Sequence, residues 1–505
     1  MRKNLCSETR QEFRHVIELA RPKLLASFAM ALIVFAIPLQ AEVIYRTPLS
    51  EAGQSGICRH GDRLFLTVHS RLDGPLKGGF YYNGNIVGQC IDETTGKLLW
   101  EVDLPGTWHG KVLESWHDST SLLPVASETQ VVFHNLNGML ACCTHEGELI
   151  WERTWQAPDP DIKNCRMFLH DGQLLVALPS EKIAVPASQK HPALPFYQIH
   201  SIDMESGQDK WVSPVLITHA TQYSIDDWKG QPVIVASMID LSHWKFNSGR
   251  HGYLISLDNG EPTETFDLPP AIPHQKNQLC RGRYLVTSPA GRSTKFQLVD
   301  PETSQVTNEF SFEKPDVYYA WSESESKHVE SDFQPEYTDR ILRGKGQPTP
   351  STVHVAGPRI YFWRYDSGDI GCIDTETGQS VLVEVPIQVL PDRTVWNKVD
   401  FQFTAGILNS RDQVVNRRVG SVRGIQRGGF GHTNPAWPVH HDGSLYWQGG
   451  AGLLYVIDKT SPFSPDAISW SSIEESAQSW TFGEPAIDES HLYIRSQREL
   501  VKLRR

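Results

Sequence analysis

The sequence predicts an all-β fold, a β-propeller of four-stranded blades, with eight blades preferred and seven the alternative. Three observations predict it: a turn motif that recurs in register, short alternating strand pairs upstream of nearly every copy, and unpartnered strands at the two ends of the body. Four strands per repeat make a unit that cannot bury both faces alone, so it must stack on its neighbours, and a ring of such units leaves few exposed sheet edges.

The recurring motif is clearest in CIDETTGKLLWEVDL (Cys90 to Leu104), CCTHEGELIWERTW (Cys142 to Trp155) and SIDMESGQDKWVSPV (Ser201 to Val215). Aligning Asp92 with Cys143 and Asp203 places a glycine four residues later (Gly96, Gly147, Gly207) and a tryptophan eight later (Trp100, Trp151, Trp211). Each copy reads as a strand ending near the Asp, a tight turn whose glycine supplies a positive φ, and a return strand carrying the Trp. Weaker copies centre on Asp258, Asp300, Asp374 with Gly378, and Asp458, and these lose or displace the Trp. The repeated Trp belongs at the contact between blades.

Upstream lie the strand pairs CRHGDRLFLTV, ETQVVFHNLNGMLA, HDGQLLVALP, KGQPVIVASMI, CRGRYLVTSP, AGPRIYFWRY, HDGSLYWQG and ESHLYIRSQ. Seven units carry a return hairpin. The chain then ends in PAIDESHLYIRSQRELVKL, whose strands lack a return partner, while VIYRTPL (Val43 to Leu49) is a lone strand ahead of the first blade. The expectation is that this strand completes an eighth blade and closes the ring. Two insertions, at about 313–348 and 386–431, exceed what a blade needs; the second ends in a run holding Arg417, Arg418, Arg423 and Arg427 and reads as a solvated loop rather than an anion-binding patch.

The motif D-x-x-T-G-K-x-x-W resembles the repeat of the quinoprotein (PQQ-like) β-propellers over the whole body, about residues 42–505. That family includes PQQ-dependent dehydrogenases and quinone-free members such as the bacterial outer-membrane assembly scaffold. The resemblance implies the fold, and it is closer to the quinone-free members, because calcium ligands, a catalytic Asp and a quinone-stacking Trp find no residue-by-residue match. No cofactor is therefore expected; PQQ and calcium belong only to the alternative of a divergent oxidoreductase.

Before the body, Leu24 to Ile37 (LLASFAMALIVFAI) is an uncharged apolar stretch flanked by Arg21 and Lys23. About 20 apolar residues are needed to span a bilayer, so this length fits an export signal over residues 1–41, with an uncleaved anchor as the second reading. Both place the body outside the cytoplasm, periplasmic or secreted. Net charge is −12 and the leader is itself basic, which argues against a nucleic-acid partner. Eight cysteines, one in the leader, leave an odd seven in the body; a chain this long can bury its core without a disulfide framework, so mostly buried thiols are expected.

Several patterns could carry chemistry. Cys142-Cys143 resembles the adjacent-cysteine disulfide of quinoprotein alcohol dehydrogenases, but its place in the outer hairpin argues for a structural role. The Cys-Arg pairs Cys58-Arg59, Cys165-Arg166 and Cys280-Arg281 open alternate units and read as a small residue followed by an exposed cation. The loops leading into the blades are polar, and His117, Asp118, His219, His274, His432, Asn434 and Trp437 are the candidate ligand-binding residues, expected to gather on one face. There is no C-x-x-C-H, H-E-x-x-H, G-x-S-x-G, P-loop or EF-hand motif, no catalytic residue is assigned, and no metal site is expected. The function expected is an exported, non-enzymatic binding or scaffold protein for a protein or small-molecule partner, with the oxidoreductase, or a hydrolase or lyase using the His-rich face, as alternatives.

Overall fold

The computed structural model describes residues 42–71, 85–107, 120, 122–156, 166–185, 194–218, 222–239, 250–271, 276–290, 293–311, 314–332, 350–364, 369–396, 407–416, 437–449, 452–473 and 483–505. The leader, Leu24 to Ile37, lies outside them, and no helix among the described residues is long and apolar enough to cross a membrane.

The body is an eight-bladed propeller. Blades one to seven occupy residues 58–104, 125–154, 168–212, 224–267, 279–311, 350–384 and 439–472, each a meander of four antiparallel strands. The eighth joins the two ends of the body: Ala486–Ile487, His491–Arg495 and Glu499–Arg504 supply three strands, and Val43–Pro48 pairs antiparallel with the last, from Val43 opposite Leu503 to Pro48 opposite Glu499. The expected closure is therefore present.

Hydrophobic burial follows the ring. The two middle strands of each blade are covered by the adjacent blades, which is why LFLTV, VVFHN and LLVAL are continuously buried rather than buried at alternate residues. Among the described residues, each seam has its own apolar cluster. Phe65 and Phe133 share the seam of blades one and two, Trp363 and Trp447 that of six and seven, and Leu64 and Tyr493 that of eight and one. The remaining five seams have their own clusters, so the core is a closed belt and not a central ball.

The motif residues build the seams. Asp92 Oδ1 accepts from the backbone N–H (2.7 Å) and hydroxyl (2.6 Å) of Thr95, Gly96 N–H returns to Asp92 O at 2.8 Å, and Asp203 with Ser206 and Gly207 repeats this turn. These hydrogen bonds, that of the Thr95 hydroxyl first, hold the Asp92 carboxyl below its usual range. Each Trp then reaches the next blade. The indole N–H groups of Trp100, Trp151 and Trp211 donate to His145 O (2.8 Å), Met204 O (2.7 Å) and Leu257 O (3.2 Å). Their rings lie on Gly147, Gly207 and Gly260, and a Cβ on Gly147, whose φ is +94°, would stand 2.8 Å from Trp100. A glycine is required there twice over, for the turn and for the indole. At the closing seam Tyr45 takes the tryptophan's place, covering Gly96 and donating to Glu93 O at 3.0 Å.

The accepting carbonyls correct the repeat register in two copies. Glu93 and Met204 each follow the turn's Asp by one residue, so His145 and Leu257 mark Thr144 and Ser256 as the equivalent positions, not Cys143 and Asp258. Cys142, not Cys143, pairs with Trp151 as Cys90 pairs with Trp100, because the second turn is one residue shorter. Counting back from the glycine hides that deletion. Asp374 with Gly378 keeps the expected form, and at Asp300 a non-glycine, Ser304 at φ +58°, holds the left-handed position.

The insertions add structure at their described ends. Within the first, Val317–Ser322 and Lys327–Glu330 form a hairpin that joins blade six parallel to Ser380–Glu384, making that sheet six-stranded. Trp321 of this hairpin stacks on Trp396 at 4.2 Å between ring centres. The second contributes hairpins at 388–395 and 407–416, and Arg417, Arg418, Arg423 and Arg427 of its closing run lie outside the described residues.

Candidate functional site

The strand nearest the ring axis is the first of each blade, and the residues just before it or on it face the axis from different blades. Arg166 precedes the first strand of blade three and Glu484 that of blade eight, three blades apart along the ring. Arg166 Nη1 and Nη2 nonetheless donate to the two Glu484 carboxylate oxygens at 2.6 and 2.7 Å. A two-pronged pair between non-neighbouring blades can form only across the centre, so these side chains mark the axial channel. Blade one contributes Gly56, where a Cβ would crowd Leu123 and the Glu484 backbone, and Ile57 N–H donates to Glu484 O at 3.1 Å.

Four more blades add one charged or imidazole group each. Asp226 lies on the first strand of blade four, Lys276 precedes that of blade five, and His354 and His440 lie on those of blades six and seven. Asp226 Oδ2 accepts Leu279 N–H at 2.8 Å and Oδ1 accepts Asp227 N–H at 2.9 Å, and burial raises its carboxyl. Gln278 hydrogen-bonds both Val353 O and Val355 N–H at 2.9 Å, stitching the wall between blades five and six. On the other side Asn277 N–H donates to Gln222 O at 2.8 Å. Lys276 thus sits on a braced segment.

His354 and His440 meet through their Nε2 atoms, and Lys459 Nζ donates to His440 Nδ1 at 2.7 Å. The lysine can only donate, so His440 carries its proton on Nε2 and gives it to His354 Nε2, which leaves the His354 proton on Nδ1. Burial, together with Lys459 and Lys276, pulls His440 down to about 4, and burial with Lys276 pulls His354 well below its ordinary value, so both rings are neutral at pH 7. Burial, with Arg166 adding to it, lowers the Lys276 ammonium to about 8.

That shift makes a pH prediction. Folding depresses the lysine from 10.5 to about 8, so the unfolded chain holds the extra proton between those values and stability from this group rises as pH goes from about 8 to 10.5. Lys276→Met should be more stable than wild type at pH 7, with the difference shrinking through that window. Paired thermal melts at pH 7, 8.5 and 10 check it; a constant difference would mean that the lysine is not desolvated.

Glu93, Asp488 and His491 approach one another closely enough to hold a metal ion. The carboxylates are already engaged: Lys502 and Tyr493 bind Glu93, Tyr493 also donates to Asp488 at 2.9 Å, and Arg59 Nε is 3.2 Å from Asp488. Burial would raise Glu93, but the hydrogen bonds from Lys502 and Tyr493 outweigh it. This network clamps the seam of blades eight and one, and two cations at its centre oppose a metal.

Of the candidate ligand residues, His117, Asp118, His219, His274, His432 and Asn434 lie outside the described residues; Trp437 is half-buried, just ahead of the first strand of blade seven. Of the expected loops, PHQKNQ supplies Lys276, which precedes the first strand of blade five. Among the described residues, His354 and His440, both on first strands, bring their imidazoles together. The Cys-Arg reading divides: Arg59 joins the seam clamp, Arg166 spans the channel, and Arg281 sits in a two-residue turn with φ +53°, paired with Glu376 at 3.1 Å, while Cys165 lies outside the described residues. Cys142 and Cys143 are free and fully buried, and burial pushes their thiols to about 12 and 11, so they are inert.

The family model described as outer membrane protein assembly factor BamB matches residues 68–261. Over those residues the chain is similar to the PQQ-like β-propeller repeats. Its fold is similar to that of the computationally designed Ika8 protein (TM-score 0.51, 8% identity, 92% of this chain and 100% of that one). It is also similar to Sqt1 of Saccharomyces cerevisiae (TM-score 0.50, 7% identity, 92% and 99%). BamB from Moraxella catarrhalis aligns over 92% of this chain and 99% of that one at 10% identity with a TM-score of 0.46. No curated protein sequence matches the chain significantly.

Proposed function

We propose that this PQQ-like propeller is an exported, non-enzymatic scaffold that holds a protein partner at the cell envelope. The observation that carries this reading is the match of blades one to four to the assembly-factor family model. Export rests on the apolar segment Leu24 to Ile37 with its basic flank. The motif residues support the reading chemically: Asp92, Trp100, Gly147 and their counterparts are consumed in turns and seams and leave the blade rims to carry recognition. On the matched blades those rims expose Leu98 and Leu99 (each 46% accessible) and Leu149 (51%), apolar side chains on outer edge strands. Neither quinone nor calcium is needed.

Two measurements test it. Residues 1–60 fused to a phosphatase that is active only outside the cytoplasm should give an active reporter, and an inactive one removes export. A photo-crosslinking residue at Leu99 or Leu149 should trap one envelope protein in the native host, with Leu99→Glu lowering the yield at least tenfold at an unchanged melting temperature. Absence of any crosslink, or a quinone absorbance in purified protein, would defeat the scaffold reading.

A further inference from the structure

Among the described residues near the axis, two buried hydrogen-bond donors lack an acceptor. Lys276 is half-buried, and its Nζ makes no hydrogen bond and no ion pair within 4 Å among the described residues. Arg166 spends both terminal nitrogens on Glu484, and its Nε is buried without a partner. The Nδ1 of His354, which carries the proton once Lys459 and His440 are arranged as they are, is also buried without a partner, on a side chain that is 6% exposed. Of the two carboxylates, Asp226 is engaged by two backbone N–H groups and Glu484 by Arg166.

We propose that the axial channel binds a small oxyanion, a carboxylate or phosphate group, with the Lys276 ammonium as its principal partner and the Arg166 Nε–H and His354 Nδ1–H as further donors. A half-buried ammonium with no counter-charge in contact is partly desolvated at a cost, and a bound oxyanion would both neutralise it and accept hydrogen bonds from the buried orphan donors of Arg166 and His354. A divalent cation is the wrong complement, because Lys276, Lys459 and Arg166 surround the imidazole pair. The proposal does not depend on a protein partner.

The groups that face the site set its pH dependence. Arg166 and Glu484 stay paired, Asp226 is fixed by backbone donors, and His354, His440, Lys276 and Lys459 are the groups that change charge. Binding should strengthen from pH 7 to 5.5, as the oxyanion draws a proton onto the imidazole pair, and weaken several-fold from pH 7 to 9.5, as Lys276 loses its proton.

Calorimetric titration of the propeller with inorganic phosphate and with succinate, in chloride of matched ionic strength, tests this. One of the two probes should bind saturably, Lys276→Met should weaken it at least tenfold, and Lys276→Arg should retain most of the affinity. Should Lys276→Met fail to fold, the pH series on wild type decides, together with a phosphate- or succinate-induced upward shift of the Lys276 side-chain titration followed by NMR. No saturable binding of either probe, equal affinity in Lys276→Met, or affinity that rises toward pH 9.5 would overturn the proposal.

Discussion

Deletion of residues 42–48 will leave a ring that does not close, and the truncated protein will be recovered as aggregate or as a loosely folded species. Three losses coincide. The strand Glu499–Arg504 becomes an exposed edge along the register that Val43–Pro48 now covers. Tyr45 leaves Gly96 uncovered and Glu93 O without its donor. The end links also go, including the Glu42–Arg504 ion pair at 2.6 Å. A deficit of about 5 kcal/mol or more is expected, comparable with the whole stability of many domains. A synthetic peptide spanning residues 42–50, added in excess, should restore the cooperative melt by re-pairing with the open edge. Normal melting of the truncated protein would show that the eighth blade does not need its fourth strand.

Trp447→Ala should be the most damaging single substitution in the belt, costing about 3 to 5 kcal/mol. Trp447 is fully buried at the seam of blades six and seven, 6.2 Å from the ring of Trp363, which lies 5.2 Å from Tyr455. Tyr455 in turn donates to Pro386 O at 2.6 Å, so a cavity there loosens the segment leading into the second insertion. Trp447→Phe should recover more than half of the loss. Chemical denaturation of the three proteins reads this directly, and a Trp447→Ala cost below about 1 kcal/mol would mean that the seam collapses around the gap.

The repeat was legible because its turn chemistry is local. An Asp that caps a turn, a glycine at positive φ and a Trp on the return strand lie within nine residues, and each is chosen by a short-range requirement. Where the turn shortened by one residue at Thr144, or moved its anchor to Ser256, the spacing from the glycine misled, since only the carbonyl receiving the neighbour's indole marks the true position. The channel was less legible. Arg166 and Glu484 are more than three hundred residues apart, and His354 and His440 lie in strands whose patterns signal only β structure. No spacing rule connects them. The one signal available was the polar character of the lead-in loops, and it pointed to the loop of Lys276 through His274, which lies outside the described residues.

By itself the sequence determined the unit of construction and the way the two ends of the body share a blade, and it preferred eight units to seven, because turn residues, strand pairs and unpartnered ends are written along the chain. Tertiary structure alone decided which groups meet on the axis. Ring closure places one residue from each of several blades at a common radius, and whether a side chain there is paired, as Arg166 is with Glu484, or left with an unpaired donor, as Lys276 is, depends on neighbours that the chain brings together only when the ring is complete.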